Sequence, residues 1–244
     1  MIRAVNPPLD QQVQYYSQRW AELTYANRID VARMAAILDL IAHTEAPYPP
    51  KICDLGCGVG WTTAMLGAHG PTTGVDLTDL SAARQRYPDC EFLTANAPEW
   101  DAPEAVFDFV VAQEVLEHIE RPHQPKFLSI AHKLLKPGGW LILTTPNRKT
   151  FDAIPGGGRT YSNQPVEDWV DVRELRGLLS SAGFEIQFVS SIILGMGRRG
   201  IYRLVNSGKL IRLFEVLGAR QLWEWAAGRA GFGLHLIIQG RKAE

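Results

Sequence analysis

The chain has little of three things that would each point to a specialised class. Cysteine is scarce: Cys53, Cys57 and Cys90 are the only three in 244 residues, an odd set without the C-x-x-C spacing of a redox pair or the clustering of a zinc site. They are expected to be reduced cytoplasmic thiols. Excess charge is also scarce, with 25 Lys and Arg against 26 Asp and Glu and a formal net charge of −1. No global field draws such a chain to a nucleic-acid backbone, so no nucleic-acid partner is expected. Long apolar runs are missing too. No window reaches the ~18 apolar residues that cross a bilayer, and the opening MIRAVNPPLDQQ lacks the apolar stretch of a secretion signal. A cytoplasmic location is expected. No repeat or low-complexity tract occurs. What is present, 46% hydrophobic and 21% charged residues, describes a globular chain long enough to bury roughly 70–75% of its unfolded surface without a disulfide or metal staple.

The segment APYPP at 46–50 divides the chain. Before it, Ile29, Ala32, Ala36, Ile37, Leu40 and Ile41 recur at three- and four-residue intervals, one stripe of a helix from about Asn27 to His43. After it come short apolar runs, KICDL, TTGVDL, CEFLTA, FDFVVAQ, WLILTT, FEIQFVSSIIL and finally GLHLIIQ. Helical patterns separate most of them, at 61–67, 79–87, 124–135 and 171–182. Strand–helix alternation of this kind predicts an α/β fold with a parallel sheet covered on both faces. LLKPGGW reads as a helix end, a turn and a strand start. We expect an N-terminal helical lid over 1–48, an α/β core over 49–194, a helical cap insertion over 195–232 and a closing strand of the core over 233–244. Between Gly195 and Gly231, seven basic residues (Arg198, Arg199, Arg203, Lys209, Arg212, Arg220, Arg229) stand against Glu215 and Glu224, a local charge of +5.

The chemistry-bearing positions begin at KICDLGCGVGW. Asp54 closes the first strand, and Gly56, Gly58 and Gly60 form the turn that opens a helix, where missing side chains let a ligand approach exposed backbone N–H groups. Asp76 ends the next strand, 22 residues later, a placement that suits a ribose diol. The dinucleotide pattern G-x-G-x-x-G would need glycine where the chain has Trp61. That argues against a pyrophosphate ligand and an NAD-dependent oxidoreductase.

The D-x-G-x-G-x-G form resembles motif I of the class I S-adenosylmethionine-dependent methyltransferases, and the resemblance extends over about 51–189, with 233–242 like the usual last strand. It implies a Rossmann-like class I methyltransferase fold: a seven-stranded, mostly parallel sheet with an antiparallel last strand. S-adenosyl-L-methionine is then the cofactor and S-adenosyl-L-homocysteine its product. Carried over by position, Gly56, Cys57 and Gly58 follow the methionine portion with their backbone, Asp54 orients that loop, and Asp76 takes both ribose hydroxyls. Leu77, Asn96 and Ala97 flank the adenine, and Gln113 faces the methionine end. The next residues, Glu114, Glu117 and His118 in EVLEHI, together with LLKPGGWLILTTPNR, resemble the small-molecule branch that includes the ubiquinone-biosynthesis O-methyltransferases.

The implied reaction is methylation of a small-molecule acceptor, with a hydroxyl oxygen placed first. His118 would be the base, supported by Glu114 or Glu117. A divalent metal held by these three is the less favoured route. Methylation of an amine, with the carboxylates attracting a cation, and a non-catalytic S-adenosylmethionine-binding partner protein are the alternatives. His123 is a reserve base, whereas His132 is read as a solvated bystander. Tyr15, Tyr16 and Trp20 are divided between core packing and a lid, with Arg28 or Arg33 as a carboxylate partner. Gly156, Gly157, Gly158, Arg159 and Tyr161, in the long connection over 147–169, suggest a substrate lid. The 195–232 insertion reads first as a cap on the acceptor pocket, with peripheral membrane contact or a dimer contact as less favoured roles. Nothing in the sequence sets the oligomeric state.

Overall fold

The computed structural model describes residues 6–23, 25–155, 164–195 and 197–244. Two helices, α1 (Leu9–Glu22) and α2 (Arg28–Ala42), precede the sheet. The α2 helix begins where its sequence allows: the Asn27 side chain accepts from the N–H groups of Ile29 and Asp30, and Asp30 reaches back to the Asn27 N–H. Strands β1 (Ile52–Leu55), β2 (Thr72–Asp76), β3 (Glu91–Thr94), β4 (Phe107–Gln113), β5 (Leu135–Pro146), β6 (Phe184–Ile192) and β7 (His235–Lys242) are the seven expected runs. Between them lie α3 (Trp61–Gly67), α4 (Ser81–Arg86), α5 (Gln124–Leu134), α6 (Arg148–Asp152), α7 (Val172–Ser181), α8 (Gly200–Val205), α9 (Gly208–Val216) and α10 (Arg220–Arg229).

The strand order is β3-β2-β1-β4-β5-β7-β6, with β7 antiparallel to both β5 and β6 and all other pairs parallel. This is the expected Rossmann-like sheet. Its direction of winding reverses between β1 and β4, and ligands of such sheets bind in the crevice beyond the carboxyl ends at that point. The KPGG segment is an excursion inside β5 rather than a turn before it. Leu135 pairs with Phe107 and Trp140 with Phe109, so Lys136–Gly139 bulge out, with Gly138 at a φ of 74°.

Period-two alternation sorts the central strands between two cores. Phe109, Val111, Ile142 and Ile237 face α2 and α3 with Met34, Ile37 and Leu66. Val110, Ala112, Leu141, Leu143, Leu236 and Ile238 face α5 and α7 with Phe127, Leu128 and Leu175. Burial on both faces is why these strands read as unbroken apolar runs. The helices α8 to α10 attach at the β6 edge, where Gly228 lies so close that an added Cβ would sit 2.6 Å from the Ser191 carbonyl oxygen.

Candidate active site

The glycine turn between β1 and α3 is shaped by close packing. Gly56, Gly58 and Gly60 all have positive φ, and a Cβ on Gly56 would lie 2.3 Å from Val115 Cγ2. The expectation of exposed backbone donors is corrected here. The N–H groups of Gly56 and Cys57 both donate to the Val75 carbonyl, at 2.7 and 3.0 Å, and the Gly58 N–H donates to Asp76 Oδ2 at 2.9 Å. The loop curls back over β2 and spends its donors there. A phosphate would find no nest of free N–H groups at these three positions.

Asp54 lies behind this turn, fully buried, accepting from Thr63 Oγ1 at 2.7 Å. Burial pushes its pKa up to about 7. It lines neither of the two cavities described below and supports the loop from the α3 side. Asp76 also accepts from the Thr78 N–H and hydroxyl, at 3.0 and 2.7 Å, while lining the first cavity. Cys57 packs its thiol against Leu80 and Ala83, and burial raises its pKa, the opposite of a reactive thiol.

Two cavities meet at the carboxyl ends of β1 and β4. The first, about 390 Å³, is bounded by Asp76, Leu77, Asn96 and Ala97 and by Leu9 and Gln12 of α1. The second, about 680 Å³, takes Cys57, Gly58 and Gln113 on one side and Arg33, Phe151, Trp169 and His235 on the other. Trp20, Gly56, Glu114 and His118 belong to both walls. Of the expected site residues, Gly56, Glu114 and His118 line both cavities, Asp76, Leu77, Asn96 and Ala97 the first alone, Cys57, Gly58, Gln113 and Glu117 the second alone, and Asp54 neither. Tyr16 and Trp20 stack at 6.0 Å, and Tyr16 sits 5.5 Å from the His118 ring, so α1 roofs the junction. His123 reaches only the first cavity, and His132 packs against Phe184 at 5.1 Å, away from both. Gly156, Gly157, Gly158, Arg159 and Tyr161 lie outside the described residues.

His118 is held by a group the sequence does not announce. Its Nδ1 lies 3.0 Å from the Val166 carbonyl oxygen; only an N–H can pair with a carbonyl, so the proton is on Nδ1 and the lone pair on Nε2. Burial lowers the imidazole pKa despite that hydrogen bond, which keeps Nε2 unprotonated at neutral pH.

The two glutamates, three residues apart, have opposite surroundings. Glu114, in the left-handed region at a φ of 55°, points its Oε2 at His235 Nδ1 (2.7 Å) and Arg33 Nη1 (3.5 Å). Burial opposes its charge, yet these two neighbours hold its pKa well below the usual carboxylate range. Arg33 also pairs with Asp30 and donates to His235 Nε2 at 3.5 Å. Arg33 is therefore the carboxylate partner, and Arg28 is exposed. Glu117 accepts from Thr145 Oγ1 at 3.0 Å and lies 3.8 Å from His118 Nε2. Burial and the nearby Glu114 charge raise its pKa well above normal, which favours its neutral carboxyl form. Turned to different partners, Glu114, Glu117 and His118 do not converge, and no metal-holding group of three His, Cys, Asp or Glu occurs among the described residues.

These residues fit a nucleoside sulfonium better than a phosphate ligand. Gln113 Oε1 in the second cavity and Glu114 Oε1 at the junction are buried oxygens without hydrogen-bond partners, suited to an ammonium, while the turn offers close approach without free donors.

A family model described as a methyltransferase domain matches residues 8–188. The chain is 32% identical over 168 residues to a probable S-adenosylmethionine-dependent methyltransferase of Mycolicibacterium smegmatis, covering 68% of this chain and 63% of that protein. It is 27% identical over 196 residues to the mitochondrial ubiquinone biosynthesis O-methyltransferase of Mus musculus, covering 66% and 50%. The chain thus spans about half to two thirds of the length of these curated relatives. Among solved structures, the 1,6-didemethyltoxoflavin-N1-methyltransferase of Burkholderia thailandensis, with bound 1,6-didemethyltoxoflavin and S-adenosylhomocysteine, superposes with a TM-score of 0.62. It has 17% identity and covers 100% of this chain and 94% of that one. Sheet order, glycine turn and family model agree: the chain belongs to the S-adenosylmethionine-dependent methyltransferases of the class I fold.

Proposed function

We propose that the protein transfers a methyl group from S-adenosylmethionine to a hydroxyl oxygen of a small-molecule acceptor, with His118 as the base. The observation that carries this reading is the His118 imidazole, tethered through Nδ1 to Val166 and presenting a bare Nε2 in the wall shared by both cavities. In this reading Asp76, Leu77, Asn96 and Ala97 hold the adenosine in the first cavity. Gly56, Cys57 and Gly58 line the methionine portion, and Gln113 and Glu114 accept its ammonium. The bound cofactor supplies an electrophilic methyl on a positively charged sulfur.

The chain's own groups do the rest. Alignment is the larger contribution, because displacement at a methyl carbon needs acceptor, carbon and sulfur in line. Tyr16 and Trp20 close the junction above His118 and exclude water. Nε2 then takes the hydroxyl proton as the new O–C bond forms, a contribution of about 10²–10⁴ in rate. Val166 keeps the imidazole oriented throughout. The raised pKa of Glu117 favours a neutral carboxyl beside Nε2, which spares the base an anionic neighbour that would hold it protonated.

His118→Ala tests the assignment. Turnover on a hydroxyl acceptor should fall by about 10²–10⁴, while calorimetric binding of S-adenosylhomocysteine stays within a few-fold of the parent. Undiminished turnover on the acceptor found by screening phenols, sugars and amines would instead support an amine acceptor. One observation favours that second reading: the Glu114 carboxylate, ionised and with Oε1 unpartnered, could draw a cation to the junction.

A further inference from the structure

Among the described residues, seven of the thirteen exposed large apolar side chains fall between 201 and 225, in the three helices that follow β6 and the turn at Leu217 between the last two. Each helix has an inward face already in use. On α8 this is Val205, and Tyr202 packs on Phe232 at 5.1 Å. On α9 it is Phe214, stacked on Trp223 of α10 at 4.7 Å and 12°. On α10 it is Ala227 and Gly228, buried toward β6. A second apolar set points out. Ile201 and Leu204 stand three residues apart on α8, and Leu222 and Trp225 three apart on α10. On α9 and its C-cap Leu217, at about 100° per residue, Lys209, Arg212, Leu213, Val216 and Leu217 share an arc of roughly 140°, away from Ile211 and Phe214. Leu213 is the least exposed of the seven, at 53%.

The charge on this surface has one sign. Arg198, Arg199, Arg203, Lys209 and Arg212 are exposed and form no ion pair among the described residues, whereas Glu215 and Glu224 are both taken by Arg220, at 3.3 and 2.9 Å. Nor do the described residues of 195–232 roof the site, since none of them lines either cavity. The expectation of a pocket cap is left without a lining residue there.

We propose that α8 to α10 form a docking face for an anionic lipid bilayer. Apolar side chains interleaved with unpaired Arg and Lys match an interface in which the former enter the acyl boundary and the latter reach the headgroups along their flexible stems. No helix among the described residues is long and apolar enough to cross a membrane, so the contact lies in the interface plane. A second copy of the chain fits less well, because a two-fold interface would bring these cations together. The face joins the second cavity's wall: the Arg198 N–H donates to the Ala153 carbonyl at 3.0 Å, next to Ile154.

Flotation of the full chain with vesicles of phosphatidylcholine, alone or mixed with phosphatidylglycerol, tests the proposal. The protein should float with the mixed vesicles and not with phosphatidylcholine alone, and raised salt should release it. Leu213→Ser with Val216→Ser and Leu217→Ser, all outward, should weaken partitioning by about tenfold or more while S-adenosylhomocysteine binding is unchanged, which shows that the fold and the cofactor cavity survive. Arg203→Gln with Lys209→Gln and Arg212→Gln should do the same. Absence of flotation with mixed vesicles at low salt overturns the proposal. So does self-association or capture by an acidic protein that the same variants abolish while vesicle binding is absent.

Discussion

The two halves of the site are built by different means. The half at the ends of β1, β2 and β3 is made from backbone: three glycines of positive φ, a loop whose N–H groups fold back on Val75 and Asp76, and two short strand-end segments. Its glycine turn and the strand-end residues Asp76, Leu77, Asn96 and Ala97 all lie between residues 54 and 97, with α1 closing over them. The half around His118 is made from groups carried in from afar, the side chains of Arg33 on α2 and His235 at the start of β7 and the Val166 carbonyl before α7. The Arg33–His235 contact spans 202 residues of chain. The first half is a local conformation, whereas the second is a set of electrostatic contacts that exists only after the whole sheet has closed. They should therefore fail in different ways.

The largest effect is expected from Glu114→Gln. Removing the buried anion leaves His235 and the Nη1 side of Arg33 facing a neutral amide. Breaking a buried ion pair costs about 3–5 kcal/mol, and the lower end applies because Asp30 still pairs with Arg33. Denaturant unfolding should show a loss of about 3 kcal/mol. A loss under about 1 kcal/mol would mean that these contacts behave like a surface pair and that the second half is not held by its charges.

Gly56→Ala addresses the other half and should act on binding more than on folding. The added methyl meets Val115 in a left-handed backbone, and strain of this kind amounts to roughly 1–3 kcal/mol. The turn must shift toward the cavity it lines, so calorimetry should record about a thirtyfold loss in S-adenosylhomocysteine affinity, ~2 kcal/mol. Val115→Ala in the same chain should recover part of it. Unchanged affinity would show that the turn is not shaped for close approach.

The same division explains what could be read from the sequence. All seven strands and the helix at 61–67 follow from apolar runs and turn residues, which are local signals. Asp76 and Gln113 at strand ends were legible for the same reason. His235 was not: within GLHLIIQ it looks like one more strand residue, and only the β5–β7 register, pairing it with Pro146, brings it to Glu114. Val166 acts through a backbone carbonyl, which has no sequence signature. The inward consumption of the loop's N–H groups is equally invisible, because a glycine turn reads alike whether its donors face a ligand or the neighbouring strand. The object faced by the outward apolar positions of α8 to α10 is not legible either, since helical periodicity gives a face but not what it faces.

The sharpest discrimination within the second half uses the smallest expected effect, Glu117→Gln. Glutamine resembles a protonated carboxyl group in shape and keeps an oxygen for Thr145. If Glu117 already holds a proton in the fold, the substitution should change stability near pH 4, where the unfolded chain also keeps that proton in large part, by less than about 1 kcal/mol. Its pH dependence has a definite sign. The folded pKa is raised above the unfolded value near ~4.3, so between the two the folded state binds more protons than the unfolded one. Stability drawn from this group is complete below that unfolded value and is lost as pH rises toward the folded pKa. The parent should therefore lose stability relative to Glu117→Gln on going up in pH from about 4.3, where Glu117 begins to ionise in the unfolded chain. Glu114 contributes in the opposite direction, because its lowered pKa makes stability fall as pH drops. Denaturant melts of the parent and both glutamine variants across this range separate the two carboxyls. If Glu117→Gln were as damaging as Glu114→Gln, and its difference from the parent independent of pH, Glu117 would be an anion in the fold. His118 would then stand beside a second negative charge that stabilises its protonated form, and a neutral imidazole could not serve as the base.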